Sequence, residues 1–176
     1  SAWCYTGGYH LPPMTLTGSV RKDIVHLDPV LGFGELAISD HRSSQPTLPE
    51  LLRIASECHV AGLMTGKAGN LHLHLGDGDR GLDLIRRALD AAEIPARTYQ
   101  PTPVIRRAPL VAGSLEIAER GVYIDVTASP EPDIQAQFDE QREGDELFAS
   151  EALAQILRAG DIDQLWTVSS DGGGCL

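Results

Sequence analysis

The stretch GFGELAISDHRS, residues 32–43, has the pattern of a buried strand that ends abruptly in polar residues. Its first half is apolar apart from Glu35, and the five residues SDHRS that follow include no apolar side chain. A carboxylate inside a buried strand is costly unless it is paired or bound to a metal. Folds with parallel strands place their functional groups at the carboxyl ends of those strands. The stretch therefore predicts a strand whose end forms part of a site.

The rest of the chain repeats this layout of strand, loop and helix. Periodicity predicts strands at 2–6, 33–38, 70–75, 97–102, 122–127 and 165–168, and helices at 20–31, 48–61, 81–92, 110–120 and 148–159. The repeat of roughly 30 residues is the size of a βα unit, and such alternation indicates a parallel sheet. No Gly-x-Gly-x-x-Gly opens a helix, which weighs against a dinucleotide-binding fold. The acidic segment 129–146 is expected to be a solvated loop.

These elements predict an α/β fold, a parallel (β/α) TIM-like barrel that is incomplete. A full barrel takes about 250 residues, so the 176 residues of this chain correspond to about six of its eight βα units. The whole chain, 1–176, is expected to be a partial catalytic barrel covering the third to the eighth strand. It starts without methionine in a strand-like run and stops just after a strand, so we expect both ends to come from something longer.

Composition excludes several classes of function. Hydrophobic residues make up 42% and charged residues 22%, as in ordinary soluble domains. The net charge of −11 argues against nucleic acid and anionic membranes as partners, and no apolar run reaches the ~18 residues of a membrane span. Three scattered cysteines without a Cys-x-x-Cys motif favour a cytoplasmic protein over a disulfide framework.

Polar residues stand within or just after the predicted strands: Tyr9, Glu35, Arg42, His74, Arg106 and Asp171. In a parallel barrel these positions converge on one face. Glutamate, histidine and aspartate suit zinc or a similar divalent ion, and arginine suits a carboxylate.

Each residue also has a purely structural interpretation. Glu35 can pair with a buried cation, His74 can be a core histidine, and Asp171 can start a turn before the glycines. The two arginines can form surface ion pairs, and the spacing of His72 and His74 can arise by chance. The conjunction of these residues over successive strand ends is what favours a site.

Eight segments carry a family resemblance: TGGYH at 6–10, TGSVRKD at 17–23, AISDHRS at 37–43, GLMTGKAG at 62–69, HLHLGD at 72–77, PTPVIRR at 101–107, YIDVTAS at 123–129 and VSSDGGG at 168–174. In these segments and their order the chain resembles the isoaspartyl (β-aspartyl) dipeptidases of the metal-dependent amidohydrolase superfamily. SDHRS and SSDG are the most specific of them. The resemblance covers nearly the whole chain.

The resemblance implies a (β/α) barrel with two divalent metals, usually zinc, at the strand ends. It implies a zinc-dependent metallopeptidase that cleaves the β-aspartyl bond of isoaspartyl dipeptides through a metal-activated hydroxide. Glu35 stands where the family has the residue bridging both metals, His74 is expected to be a metal ligand, and Asp171 both a ligand and the general base and acid. Tyr9 is expected to steady the oxyanion. The family's subunits form large homo-oligomers.

Substrate binding is implied for Tyr9, for Arg42 and Arg106, which would hold the carboxylates, and for Cys175, at the position of a substrate-contacting serine. The family's Pro-Thr-His-x-x-Arg pattern has Pro103 in place of its metal-binding histidine. The first-strand His-x-His pair is also absent, so three of six expected ligands remain and fewer than two zinc ions are expected per chain. His72 is not a ligand position of the family.

Three possibilities remain open from the sequence. The chain is either an active dipeptidase or an inactive fragment or degenerate relative that folds or oligomerises without turnover, since an open barrel leaves unpaired strand edges. A third possibility is an amidohydrolase that opens a cyclic amide, similar to a dihydroorotase.

Overall fold

Parallel strands alternate with helices throughout the part of the chain that the computed structural model describes, which is residues 2–105, 107–128, 147–159 and 165–170. The strands in this part are β1 (Cys4–Thr6), β2 (Val30–Ser39), β3 (Leu71–Leu75), β4 (Tyr99–Thr102), β5 (Ile124–Thr127) and β6 (Trp166–Ser169). The helices are α1 (Val20–His26), α2 (Leu48–Thr65), α3 (Asp83–Ala91), α4 (Ala108–Glu119) and α5 (Ala149–Ala159), with a 3-10 turn at Ala96–Thr98. The predicted α/β alternation is confirmed.

Strands β1 to β4 form one parallel sheet in chain order, and β5 pairs in parallel with β6. Val104 N, just after β4, donates to Asp125 O in β5 at 3.1 Å and links the two sheets. Each parallel step needs a crossover, which the helices supply. The described residues do not close a barrel, as expected of an incomplete one.

The leucine–histidine alternation of β3 sets which face is core. Leu71, Leu73 and Leu75 are fully buried, while His72 and His74 line a cavity on the other face. The leucines join the apolar helix faces, for example Leu51 of α2, in one hydrophobic core. That burial, worth about 1.5–3 kcal/mol for each leucine, fixes the register that aims His74 at the cavity.

Two predicted helix ends were wrong by more than two residues. Helix α1 ends at His26 instead of residue 31, because residues 30 and 31 join β2 and Cys4 N donates to Pro29 O beside them. Helix α2 continues to Thr65 instead of residue 61, and it ends at Gly66, whose φ of 72° is the left-handed conformation that glycine adopts freely. The predicted start of α1 is confirmed, since the Ser19 side chain accepts a hydrogen bond from Lys22 N at 3.2 Å.

Within the described ranges, no helix combines the length and the apolar character needed to cross a membrane. The segment 129–146, expected to be a solvated loop, lies outside the described residues.

Candidate active site

A cavity of about 180 Å³ lies toward the carboxyl ends of β2 to β6. It is lined by Tyr9, Glu35, His72, His74, Thr102, Pro103, Thr127 and Ser169. A larger cavity of about 460 Å³ lies at the opposite, amino ends of the strands, and none of the predicted site residues lines it. The smaller cavity is therefore the candidate site.

Tyr9, Glu35 and His74, three of the predicted site residues, are in contact with one another around the His74 ring. Its Nδ1 lies 3.3 Å from Glu35 Oε2 and 3.2 Å from the Tyr9 hydroxyl. The Tyr9 and His74 rings stack with centroids 4.7 Å apart. Strand pairing explains the meeting, because Ala37 N of β2 donates to Tyr9 O at 3.2 Å and Ala37 is the β-sheet partner of His74.

Charge at this cluster is set by its surroundings. Burial acts to raise the pKa of Glu35, but the hydrogen bond from His74 and the nearby imidazoles outweigh it and lower that pKa below its ordinary value. Burial, and then the negative charge of Glu35, raises the pKa of Tyr9 to about 12. At neutral pH Glu35 is thus a carboxylate that can bind a cation, and Tyr9 is a phenol that can donate a hydrogen bond.

Arg42, the fourth predicted residue in this group, is held by Asp40. The Asp40 carboxylate accepts from Arg42 Nε at 2.9 Å and from Arg42 Nη2 at 2.6 Å, and it accepts from His74 Nε2 at 3.0 Å. The Arg42 hydrogen bonds hold the pKa of Asp40 well below its usual range. The guanidinium lies 5.5 Å from the centre of the Tyr9 ring. Asp40 was not among the predicted site residues, although SDHRS places it two residues before the arginine.

Asp125 is a second carboxylate that sequence reasoning missed. It accepts from the hydroxyls of Thr102 at 2.8 Å, Thr167 at 2.6 Å and Ser169 at 2.6 Å, so it ties β4, β5 and β6 together below the cavity. The available signal was a lone carboxylate within the β-branched strand YIDVT, the same signal that identified Glu35.

The remaining predicted residues have different outcomes. Arg106, Asp171 and Cys175 lie outside the described residues. His72 lines the cavity and stacks on Tyr5 with centroids 5.1 Å apart, and burial lowers its pKa. Pro103 also lines the cavity, and it brings no side-chain donor to that wall.

The cavity presents side chains of the types that bind zinc. Glu35 and His74 present a carboxylate oxygen and an imidazole nitrogen 3.3 Å apart on the same cavity, and both are common zinc ligands. No three such side chains form a metal-binding group among residues 2–105, 107–128, 147–159 and 165–170. The described part of the site therefore offers two ligands.

Comparison with known proteins gives the family. No family model matches the chain. Among solved structures, the chain is similar to a β-aspartyl dipeptidase from the thermophilic keratin-degrading Fervidobacterium islandicum in complex with β-Asp-Leu dipeptide, with 41% identity and a TM-score of 0.86 over 99% of this chain. The chain belongs to the family of the β-aspartyl dipeptidases. A second structure of such an enzyme from that organism matches with 41% identity and a TM-score of 0.84 over 96% of this chain.

The match confirms the resemblance that the motifs indicated, and with it the barrel-like α/β fold class. The chain spans less than half of the dipeptidases it matches, 43% of the first and 42% of the second.

Proposed function

We propose that this chain carries the catalytic face of a zinc-dependent β-aspartyl dipeptidase, which hydrolyses the isopeptide bond of dipeptides with an N-terminal isoaspartyl residue. The observation that supports it most is the meeting of Tyr9, Glu35 and His74 within 3.3 Å on one cavity. Chance rarely brings a protonated phenol, a carboxylate and an imidazole together at strand ends.

Glu35 and His74 would hold zinc, with Asp171 as the proposed further ligand and proton acceptor. A zinc ion there would polarise the peptide carbonyl and lower the pKa of a water to give the hydroxide nucleophile. With Pro103 on the cavity wall, we propose fewer than two ions per chain.

Tyr9 would stabilise the oxyanion of the tetrahedral intermediate. An oxyanion donor must keep its proton as negative charge develops on the substrate. The pKa of Tyr9, about 12, keeps the hydroxyl protonated at neutral pH.

Arg42 would bind a carboxylate of the dipeptide, with Arg106 and Cys175 as the proposed partners. Guanidinium has five N–H donors, of which Asp40 engages those on Nε and Nη2. Its side chain is 51% exposed, so donors remain accessible to a ligand. Because the Fervidobacterium enzyme was solved with β-Asp-Leu, that dipeptide is the first substrate to test.

We also propose a homo-oligomer and a cytoplasmic location. Large apolar side chains remain exposed at β1 and α2, including Trp3 at 59% and Leu63 at 69%. Apolar surface of this kind is typical of contacts with further protein.

A specific observation favours a second candidate, an inactive relative. Pro103 contributes no ligand where the family has a histidine, so the chain can keep the fold without turnover. A cyclic-amide hydrolase is the third possibility, and a substrate panel separates it from the other two.

The test measures release of leucine from β-Asp-Leu by the zinc-loaded protein, with α-Asp-Leu and dihydroorotate as comparison substrates. We expect hydrolysis of β-Asp-Leu only, and its loss in Glu35→Gln, which keeps the size of the side chain but removes its charge. Zinc-loaded wild type without any turnover would favour the inactive relative. Turnover of dihydroorotate alone would favour the cyclic-amide hydrolase.

A further inference from the structure

We infer that Asp40 is a positioning residue that orients His74 and Arg42 together, so that one carboxylate couples the metal-binding side of the site to its substrate-binding side. The roles of His74 and Arg42 rest on the proposed function. The coupling itself rests on four hydrogen bonds to one buried side chain.

Both oxygens of Asp40 are fully used. Oδ1 accepts from Arg42 Nε at 2.9 Å and from the Arg42 backbone N at 2.7 Å. Oδ2 accepts from Arg42 Nη2 at 2.6 Å and from His74 Nε2 at 3.0 Å. A carboxylate offers about four lone-pair sites, and this one has four donors. With its side chain only 2% exposed, Asp40 is a fixed support and not a ligand with oxygens to spare.

Oδ2 is the point where the two sides meet. Arg42 Nη2 and His74 Nε2 lie 3.1 Å apart, and guanidinium nitrogens only donate. With the Asp40 carboxylate as the shared acceptor, Nε2 of the imidazole carries a proton, and Nε2 and Nη2 are neighbouring donors to Oδ2. Nδ1 is then the nitrogen that faces Glu35. A carboxylate behind a metal-binding histidine fixes the ring in this way in many metal sites.

The end of β3 is built around this carboxylate. A Cβ on Gly76, directly after β3, would lie 2.2 Å from Asp40 Oδ2, so only glycine leaves room for it. Gly76 N donates to Ser39 O at 2.9 Å, and the Ser39 hydroxyl donates to Gly78 O at 2.8 Å. These bonds tie the strand end that carries Asp40 to the strand end that carries His74, and they explain why the ring and the carboxylate stay in register.

The test compares Asp40→Asn with Asp23→Asn. Asp23 is a matched control, because it too is a buried carboxylate with several donors, the hydroxyls of Thr6 and Thr17 and Leu16 N, and all three lie outside the cavity. Three readouts are measured on each protein: the nitrogen NMR shifts of the His74 ring and Arg42 Nε, the zinc affinity by chelator competition, and kcat and KM for β-Asp-Leu.

In Asp40→Asn we expect the Arg42 Nε–H and His74 signals to move toward solvent-exposed values. Zinc affinity should fall about 10–100-fold, as is typical when a partner behind a metal ligand is removed. KM should rise as kcat falls, because Arg42, which binds substrate, and His74, which binds the metal, lose the same hydrogen-bond partner. Asp40→Glu should restore part of the zinc affinity, and Asp23→Asn should leave all three readouts near wild type.

Unchanged His74 and Arg42 signals in Asp40→Asn would overturn the inference, as would a zinc affinity within twofold of wild type. A wild type that binds no zinc and has no turnover would instead reject the proposed function, and the NMR shifts would still decide the role of Asp40. If Asp40→Asn does not fold, Gly76→Ala keeps every charge and displaces only the carboxylate. It should shift the same signals, and unchanged signals there would refute the coupling.

Discussion

Removal of Asp125 is the strongest test of the hydrogen bonds that hold the interior of the described residues together. Asp125→Ala deletes the acceptor of three hydroxyls, those of Thr102, Thr167 and Ser169. A hydrogen bond to a charged group contributes about 1.5–3 kcal/mol, but hydroxyls that reach water recover most of that. Thr102 is buried, whereas Ser169 is partly buried and Thr167 is exposed. We therefore expect a loss of about 2–4 kcal/mol in the free energy of unfolding, most of it from Thr102. This corresponds to a fall in Tm of roughly 4–16 °C for a chain of this size.

The assay is thermal and urea unfolding of wild type, Asp125→Ala and Asp125→Asn. The asparagine keeps one oxygen for Thr167, while its amide meets the hydroxyls of Thr102 and Ser169, which must rotate to accept. The free energy of unfolding should therefore fall by less in Asp125→Asn than in Asp125→Ala. A double-mutant cycle with Thr102→Val isolates the buried bond, and a coupling of at least about 1 kcal/mol is expected. A Tm for Asp125→Ala within about 2 °C of wild type would refute the view that this carboxylate joins β4, β5 and β6.

Three further predictions concern the cavity. Tyr9→Phe should lower kcat for β-Asp-Leu by about 10²–10³ with KM nearly unchanged, since one oxyanion donor is lost, and steady-state kinetics would expose the error if KM alone changed. Folding lowers the pKa values of Glu35 and Asp40. Both carboxylates therefore stabilise the fold above their ordinary pKa values of about 4, and this stabilisation is lost as the pH falls below those values. Urea unfolding from pH 7 to pH 3 should show this decline, and Asp40→Asn should flatten it. Pro103→His adds an imidazole to the cavity wall and should raise zinc bound per chain, measured by elemental analysis after dialysis, whereas unchanged zinc content would show that position 103 does not face the metal.

Local patterns were sufficient for the strands and for much of the site. The alternation in LHLHL predicted which face His74 occupies, and that face lines the cavity. The end of α1 was misjudged because residues 30 and 31 continue its apolar spacing, and only pairing with β1 draws them into β2. Helical periodicity cannot report a competing strand partner.

The missed carboxylates have a different cause. Asp40 reaches His74 across 34 residues of sequence, and Asp125 reaches Thr167 across 42. Nothing near either aspartate in the sequence indicates those partners, so their hydrogen bonds follow only from strand order and register. Glu35 was found because it is a lone carboxylate within an otherwise apolar strand, which its own neighbours in the sequence show.

Glu35, Asp40 and Asp125 differ in how much hydrogen-bonding capacity each carboxylate has left, and that difference supports Glu35 as the metal ligand. Asp40 accepts four N–H groups and has no lone-pair site left, and Asp125 accepts three hydroxyls, which leaves at most one of its about four sites for a cation. Glu35 faces the Tyr9 hydroxyl and His74 Nδ1, the nitrogen that a zinc ion would use, and its side chain stays 28% exposed at the cavity. Glu35→Gln should therefore abolish zinc binding at little cost in stability, whereas Asp125→Asn should lower stability and leave the zinc affinity within a few-fold. Loss of zinc from both variants alike would mean that cavity shape, and not the free oxygens of Glu35, holds the ion.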